Sequence, residues 1–192
     1  MLTLLRPALV MLALFTLVTG VAYPLAMTVL AQALIPATAS GSVITRGGTI
    51  VGSDLIAQSF TSDRYFRPRP SAAGEKGYDA TGSSGSNLGP LSKKLIERVE
   101  GDVATLRKAG ASIIPADAVT TSASGLDPHI SPAFAGLQIA RVAAARNVTA
   151  AQIRAIVENS TERPLLGLFG EPRINVLRLN LTLDASLPGG AG

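Results

Sequence analysis

The run "PALVMLALFTLVTGVAYPLAMTVLAQALIP", Pro7 to Pro36, decides how this chain is built. It lies between Arg6 and Arg46, the first two charged side chains, and holds no charge itself. A bilayer-spanning helix needs roughly 18 to 20 apolar residues, and this run is longer. From Ala8 to Ala31 a helix reaches about 36 Å at ~1.5 Å per residue, enough to cross a core of ~30 Å with some tilt. Ala31, Gln32 and Ala33 resemble a signal-peptide cleavage site, but the apolar run is about twice the ~7–15 residues of a signal-peptide core. A retained anchor is therefore expected. Arg6 on the short side favours a cytoplasmic N-terminus by the positive-inside tendency. The remainder is then extracytoplasmic, because long segments cross largely regardless of their charge. The expected division is a short N-terminal segment and transmembrane helix over 1–34 and a domain over 35–192.

Inside the apolar run, Thr16, Gly20, Pro24 and Thr28 recur every fourth residue, with Thr19 and Tyr23 beside them. On a helix that spacing traces one inclined stripe. Small and hydroxylated residues on one side of a spanning helix let another helix come close, so the stripe predicts a packing partner in the membrane. Pro24 removes one backbone donor, and a neighbour or a Thr hydroxyl is expected to satisfy the freed carbonyl.

The charge excludes some partners. The net charge is +4, but the 17 basic and 13 acidic side chains are well mixed. No basic block tracks phosphates, which argues against nucleic acid. The chain has no cysteine, so disulfides, thiol nucleophiles and thiolate metal sites are excluded.

Beyond the anchor, "SVIT" and "TIVG" flank Arg46, Gly47 and Gly48 and read as a tight hairpin. From Thr61 to Pro90 the chain loses apolar periodicity and fills with Gly, Pro, Ser and Asn. Its aromatic residues Tyr65, Phe66 and Tyr78 argue against disorder. An ordered binding loop over 61–90 is the expectation. Pro90 suits a first helical position and Gly110 a stop, with Leu91, Leu95, Val99, Val103 and Leu106 as the apolar face between them. "ASIIPADAVT" reads as a strand broken by Pro115. Ser131-Pro132 reads as cap and first residue of a helix to about Arg146. Thr149 and Gln152 form the capping box of another, with Ile153, Ile156 and Val157 facing inward. In "LRLNLTLD", Leu177, Leu179, Leu181 and Leu183 alternate with polar residues, the period of a half-buried strand. The expected class is an α+β (mixed α/β) extracytoplasmic domain on a single N-terminal transmembrane helix.

The stretch "TTSASGLDPHISP" holds Ser122, Ser124, Asp127 and the chain's one histidine, His129. A Ser-His-Asp triad converges from separate elements, and these residues lie within eight positions of each other. No G-x-S-x-G elbow occurs anywhere. Asp-Pro and Ser-Pro favour turns and a cap instead. A membrane-anchored serine hydrolase using Ser122 or Ser124 with His129 is the alternative reading, and a structural loop the preferred one. One histidine and no cysteine make a poor zinc set. "SSGSNLG" lacks the rest of a phosphate-binding loop. Arg64, Tyr65, Phe66, Arg67 and Arg69 interleave as in a single-strand reader, but their plainer reading is ion pairing with Asp63, Glu75 or Asp79.

The stretches "YFRPRPSAAGEKGYDATGSSGSNLGP", "VTTSASGLDPHISPAFAGLQIARVAAARN" and "TERPLLGLFGEPRINVLRLNLTLD", with the single membrane helix, resemble the C subunits of the bacterial Kdp potassium-transporting ATPases over nearly the whole chain. The resemblance implies an inner-membrane complex with a potassium-selective channel-like subunit, a P-type ATPase subunit and a small single-helix subunit. It implies that ATP, magnesium and potassium are used by the complex and that this chain holds neither the phosphorylated aspartate nor the selectivity filter; no catalytic or metal residue is expected in it, and any cofactor-binding residues stay unassigned. The family is described as a catalytic chaperone that raises the ATP affinity of the ATPase subunit. On this reading the helix docks through Thr16, Gly20, Pro24 and Thr28 within the bilayer. The candidate partner contacts of the domain are Tyr65, Phe66, Arg69, Ser84, Asn87, Asp127 and His129.

Overall fold

The computed structural model describes residues 2–164 and 166–187. Met1, Leu165 and 188–192, the last within the range expected for the domain, lie outside the described residues. The chain divides into two compact units, Met1–Val51 and Gly52–Gly192.

The first unit is built on α1 (Leu2–Leu17) and α2 (Tyr23–Leu34), joined without a break by a π-helical turn at Val18–Ala22. Thr3–Leu34 is long and apolar enough to cross a membrane, with a mean hydropathy of 2.1 over its most apolar window. It begins earlier and ends later than the stretch from Ala8 to Ala31, since the sequence between Leu2 and Leu34 offers no terminator. The π turn was not legible in the sequence, and it falls just before Pro24. A proline lacks the N–H that would close the regular ladder, and the wider turn ends with Tyr23 N–H bonded to the Val18 carbonyl. A short α3 (Pro36–Ala39) follows, then the expected hairpin of β1 (Val43–Arg46) and β2 (Thr49–Ser53). Gly47 and Gly48 take φ of 58° and 82°, the left-handed pair that a two-residue hairpin turn requires.

The second unit packs four helices around one core. The first, α4 (Lys93–Lys108), starts after Ser92 rather than at Pro90, so Leu91 lies outside it and is 91% exposed. Val99, Val103 and Leu106 rest on the core as expected. Gly110 ends the helix at φ 93°. The strand expected around Pro115 is instead a 3-10 turn at Ala116–Ala118. Pro115 has no donor for a ladder, and Asp117 in that turn is drawn to the amide and hydroxyl of Ser131 at 2.7 and 3.0 Å. Ser131 caps α5 (Pro132–Arg146) by accepting from Phe134 N–H at 3.0 Å, and Asn147 closes it in the left-handed region. Thr149 and Gln152 complete the capping box of α6 (Ala150–Asn159), with Ile153 and Val157 buried against α5.

The largest correction is at the C-terminus. "LRLNLTLD" lies in α7 (Val176–Ser186). Val176, Leu177, Leu179, Asn180 and Leu183 are buried, which is helical spacing, while Leu181 is only half-buried. The Asn175 side chain accepts from Arg178 N–H at 3.1 Å and starts the helix. Among the described residues of this unit, a short antiparallel pair joins β3 (His129–Ile130) to β4 (Ile174–Asn175), aligning His129 with Asn175 and Ile130 with Ile174. Phe66, Ile130, Phe134, Ile139, Val142, Ile153, Ile174, Leu179 and Leu183 form the centre of the core. Burying each large apolar side chain stabilises the fold by about 1.5–3 kcal/mol. The result is a mixed fold of helices and small sheets, with one N-terminal apolar helix of membrane-spanning length.

Candidate functional site

The long loop is hydrogen-bonded to helices far away along the chain. Gln138 on α5 accepts from Arg67 N–H at 2.8 Å and donates to the Arg67 carbonyl at 3.0 Å. Asn180 on α7 does the same to Phe66, at 2.8 and 2.9 Å. Two amide side chains thus act as surrogate strands for adjacent residues of an unpaired backbone. Arg141 donates to the carbonyls of Asp63 and Tyr65, and Arg146 to that of Arg64. With its backbone satisfied, the loop drives Phe66 to full burial.

Arg146 is itself buried, with its side chain 1% exposed. It bonds Asp184 at 2.8 Å and stacks on the Tyr65 ring at 5.2 Å. Tyr65 Oη donates to the other oxygen of Asp184 at 3.0 Å. Burial and that carboxylate together hold the Tyr65 phenol above its ordinary pKa.

The downstream half of the loop is bound to the segment that raised the hydrolase question. Ser71 Oγ donates to the Gly125 carbonyl at 2.6 Å, and Ser84 N–H donates to the Ser124 carbonyl at 2.9 Å. The approach is so close that a Cβ on Gly125 would stand 2.6 Å from the Ser84 carbonyl oxygen. Tyr78 Oη bonds the Arg69 carbonyl at 2.8 Å, and Arg69 reaches Asp127 at 3.0 Å. Asp127 also accepts the His129 backbone N–H at 2.9 Å, with the imidazole Nδ1 at 3.5 Å. Burial works to raise the Asp127 carboxyl, but the bonds from His129 and Arg69 outweigh it and hold it below the ordinary value.

This geometry does not make a hydrolase. Ser122 Oγ accepts from Asp127 N–H and Ser124 Oγ from Leu126 N–H, so both hydroxyls close turns. Among the described residues neither is hydrogen-bonded to His129. Asp127 meets the imidazole at 3.5 Å, but its closer partners are a guanidinium and a main-chain amide. Arg69, Asp117, Asp127, His129, Ser131, Glu171 and Arg173 share an open cleft of about 550 Å³, in which the Asp117 carboxylate is committed to Ser131. Among the described residues no group of three or more His, Asp and Glu side chains is placed to hold a metal ion.

The structure separates the candidate contact residues. Arg69, Asp127 and His129 meet in one cluster. Tyr65 and Phe66 belong to another, and Phe66 is wholly enclosed, which assigns its side chain to packing. Ser84 and Asn87 are exposed, Asn87 at φ 51°. In the first unit, a Cβ on Gly20 would meet the Thr16 methyl at 3.9 Å, so the two share a face. Thr19 and Thr28 hydroxyls bond the carbonyls four residues back, Phe15 and Pro24, at 2.6 and 2.8 Å. They therefore bond within their own helix. The residues that sequence reasoning missed are Gln138, Arg141, Arg146, Asn180 and Asp184. Their one legible signal was a polar side chain on an otherwise apolar helical stripe, as Gln138 is between Phe134, Ala135, Ile139 and Val142.

Comparison with known proteins bears on the same residues. A sequence profile of the family described as "KdpC: K+-transporting ATPase, c chain" matches residues 5–185. The potassium-transporting ATPase KdpC subunit of a Caulobacter species is 55% identical over 190 residues, covering 98% of this chain and 96% of its own. Those of Polaromonas naphthalenivorans and Rhodospirillum rubrum are 54% and 53% identical, each covering 96% or more of both chains.

Proposed function

The chain belongs to the KdpC family, and from that premise we propose that it is an accessory, non-catalytic subunit of an ATP-driven potassium uptake complex. The observation that carries the reading is the apolar helix Thr3–Leu34 ahead of a domain in which Ser122 and Ser124 accept backbone amides and Asp127 pairs with Arg69. ATP hydrolysis then belongs to a P-type ATPase subunit and ion selection to a channel-like subunit, with a small single-helix subunit alongside. Arg6 stays in the cytoplasm of an inner membrane and the domain lies outside. There it sits over the outer mouth of the potassium-selective subunit and stabilises the assembly. Any effect on ATP affinity passes through the membrane helices rather than through a nucleotide bound by this domain.

In the bilayer, Thr16, Gly20, Pro24 and Thr28 face the neighbouring helix. The π turn supports this, because such turns favour functional positions. On the domain, Arg69, Asp127 and His129 with the exposed Ser84 and Asn87 are the partner-facing set.

A Gly20→Leu variant tests the helix, since the new side chain fits beside Thr16 on its own helix but blocks a neighbour. Co-purification of the complex from detergent should fall about tenfold, the effect of losing ~1.4 kcal/mol of packing. Full yield and full uptake would show that the stripe faces lipid. Protease added to sealed right-side-out vesicles should digest the domain, and protection of Gly52–Leu187 would reverse the topology.

A further inference from the structure

Between α6 and β4 the chain throws out a turn with its apolar side chains on the outside. Leu166, Leu168 and Phe169 are 81%, 80% and 66% exposed. They are held there by a built scaffold. Glu162 and Arg173 exchange backbone bonds at 2.8 and 3.1 Å and pair their side chains at 3.0 Å, closing the base. Gly167 N–H donates to the Pro164 carbonyl at 3.0 Å, closing the apex. Leu166 takes φ 55°, a conformation that a leucine adopts only at some cost, and Gly167 and Gly170 follow at 73° and 93°. A chain that strains a leucine in order to leave it in water has a use for it outside its own core.

We propose that this turn is a second membrane contact, inserting Leu166, Leu168 and Phe169 into the headgroup–acyl boundary of the bilayer that α1 and α2 span. Three observations favour lipid over a protein socket. The same chain carries the span Thr3–Leu34, so the contact is intramolecular and a weak apolar apex suffices. The connection from Ile35 to Val51 extends by at most about 3.5 Å per residue, which keeps the domain within reach of the surface. The apex is a protrusion of separate, highly exposed side chains, which fluid lipid accommodates without a preformed pocket. Its aromatic member, Phe169, suits the interface as the apolar side of an interfacial segment does.

This inference rests on the anchoring of the chain and adds to it a contact with lipid that the docking of subunits does not need. The chain has neither tryptophan nor cysteine, so one Phe169→Trp substitution gives a clean reporter. The full chain is reconstituted in vesicles of phosphatidylcholine and phosphatidylglycerol, with Leu91→Trp as the solvent-facing control. Trp at 169 should emit to the blue, be quenched by chain-brominated lipid, and be roughly twofold or more less accessible to acrylamide than Trp at 91, as insertion of about 5–10 Å requires. Emission from water at both positions in chains that resist carbonate extraction overturns the inference and leaves the anchor intact. Shielding only after the other subunits are added overturns it in favour of a protein socket. Release of the chain by carbonate overturns the anchor and the inference together.

Discussion

Asn180 and Phe66 exchange two hydrogen bonds, the amide oxygen of Asn180 accepting the Phe66 N–H at 2.8 Å and its nitrogen donating to the Phe66 carbonyl at 2.9 Å. A helix side chain near the C-terminus thereby completes the backbone of a loop that begins more than a hundred positions earlier, and Phe66 follows into the core. The peptide groups of Phe66 and Arg67 find their partners in helices.

Asn180→Leu should therefore be poorly tolerated even though it puts a leucine in a core. It strands a buried N–H and a buried carbonyl, each costing about 1–3 kcal/mol. Chemical denaturation of the full chain in detergent should show a loss of about 2–5 kcal/mol, with earlier proteolysis between Thr61 and Pro90. Unchanged stability would mean that water replaces the amide.

Arg146 is enclosed while Asp184 is partly open, so removing the acid is the harsher change. Asp184→Ala leaves a buried guanidinium without its counter-ion and should cost about 3 kcal/mol or more. The Tyr65 phenol should then titrate closer to its ordinary value, since one cause of its elevation is gone. Ultraviolet absorbance of the tyrosines against pH would detect that fall.

Gly125 sits at φ 67° with the Ser84 carbonyl and the Ala73 amide pressed against it. Gly125→Ala brings both strain and a clash, and should loosen the 71–85 stretch by about 1–3 kcal/mol. Faster hydrogen exchange at Ser84 and Tyr78, with α5 and α6 unchanged, is the expected signature.

Ser122→Ala and Ser124→Ala each free one backbone amide and should cost about 1 kcal/mol. Neither should change the potassium uptake of the assembled complex by more than about twofold, a difference of ~0.4 kcal/mol. Abolished uptake in an assembled complex carrying either of these would restore a chemical role to the segment.

The Asp127 carboxyl is held below its ordinary 3.8, so its contribution to stability is complete above that value and is lost as pH falls through the lowered one. Asp54, lowered chiefly by its bond from Arg178, acts in the same direction. Asp127→Asn should flatten the pH dependence of unfolding below about pH 4 and leave its slope near neutrality unchanged. A variant whose acid limb matches the parent would place the acid sensitivity elsewhere.

Features whose information is confined to a few neighbouring residues were legible in advance. An apolar helix over Ala8–Ala31 follows from length and the absence of charge alone, and the structure extends it to Thr3–Leu34. Gly47-Gly48, Ser131-Pro132 and Thr149 with Gln152 bond within a turn of themselves, so their spacing is their structure. Gly110 is likewise a local stop. What failed required knowing the surroundings. Leu177, Leu179 and Leu183 satisfy a period of two as well as they lie on a helix, and burial of Val176 and Asn180 on the same side decides between them. Phe66 reads as an aromatic on an open loop until Asn180 and Gln138 are brought to its backbone. The turn after α6 reads as any loop until Leu166 and Leu168 are seen to be exposed. A sequence by itself determines which groups need partners. Only the tertiary structure decides which distant side chains meet that need, because buried donors and acceptors are satisfied by what lies near them in space.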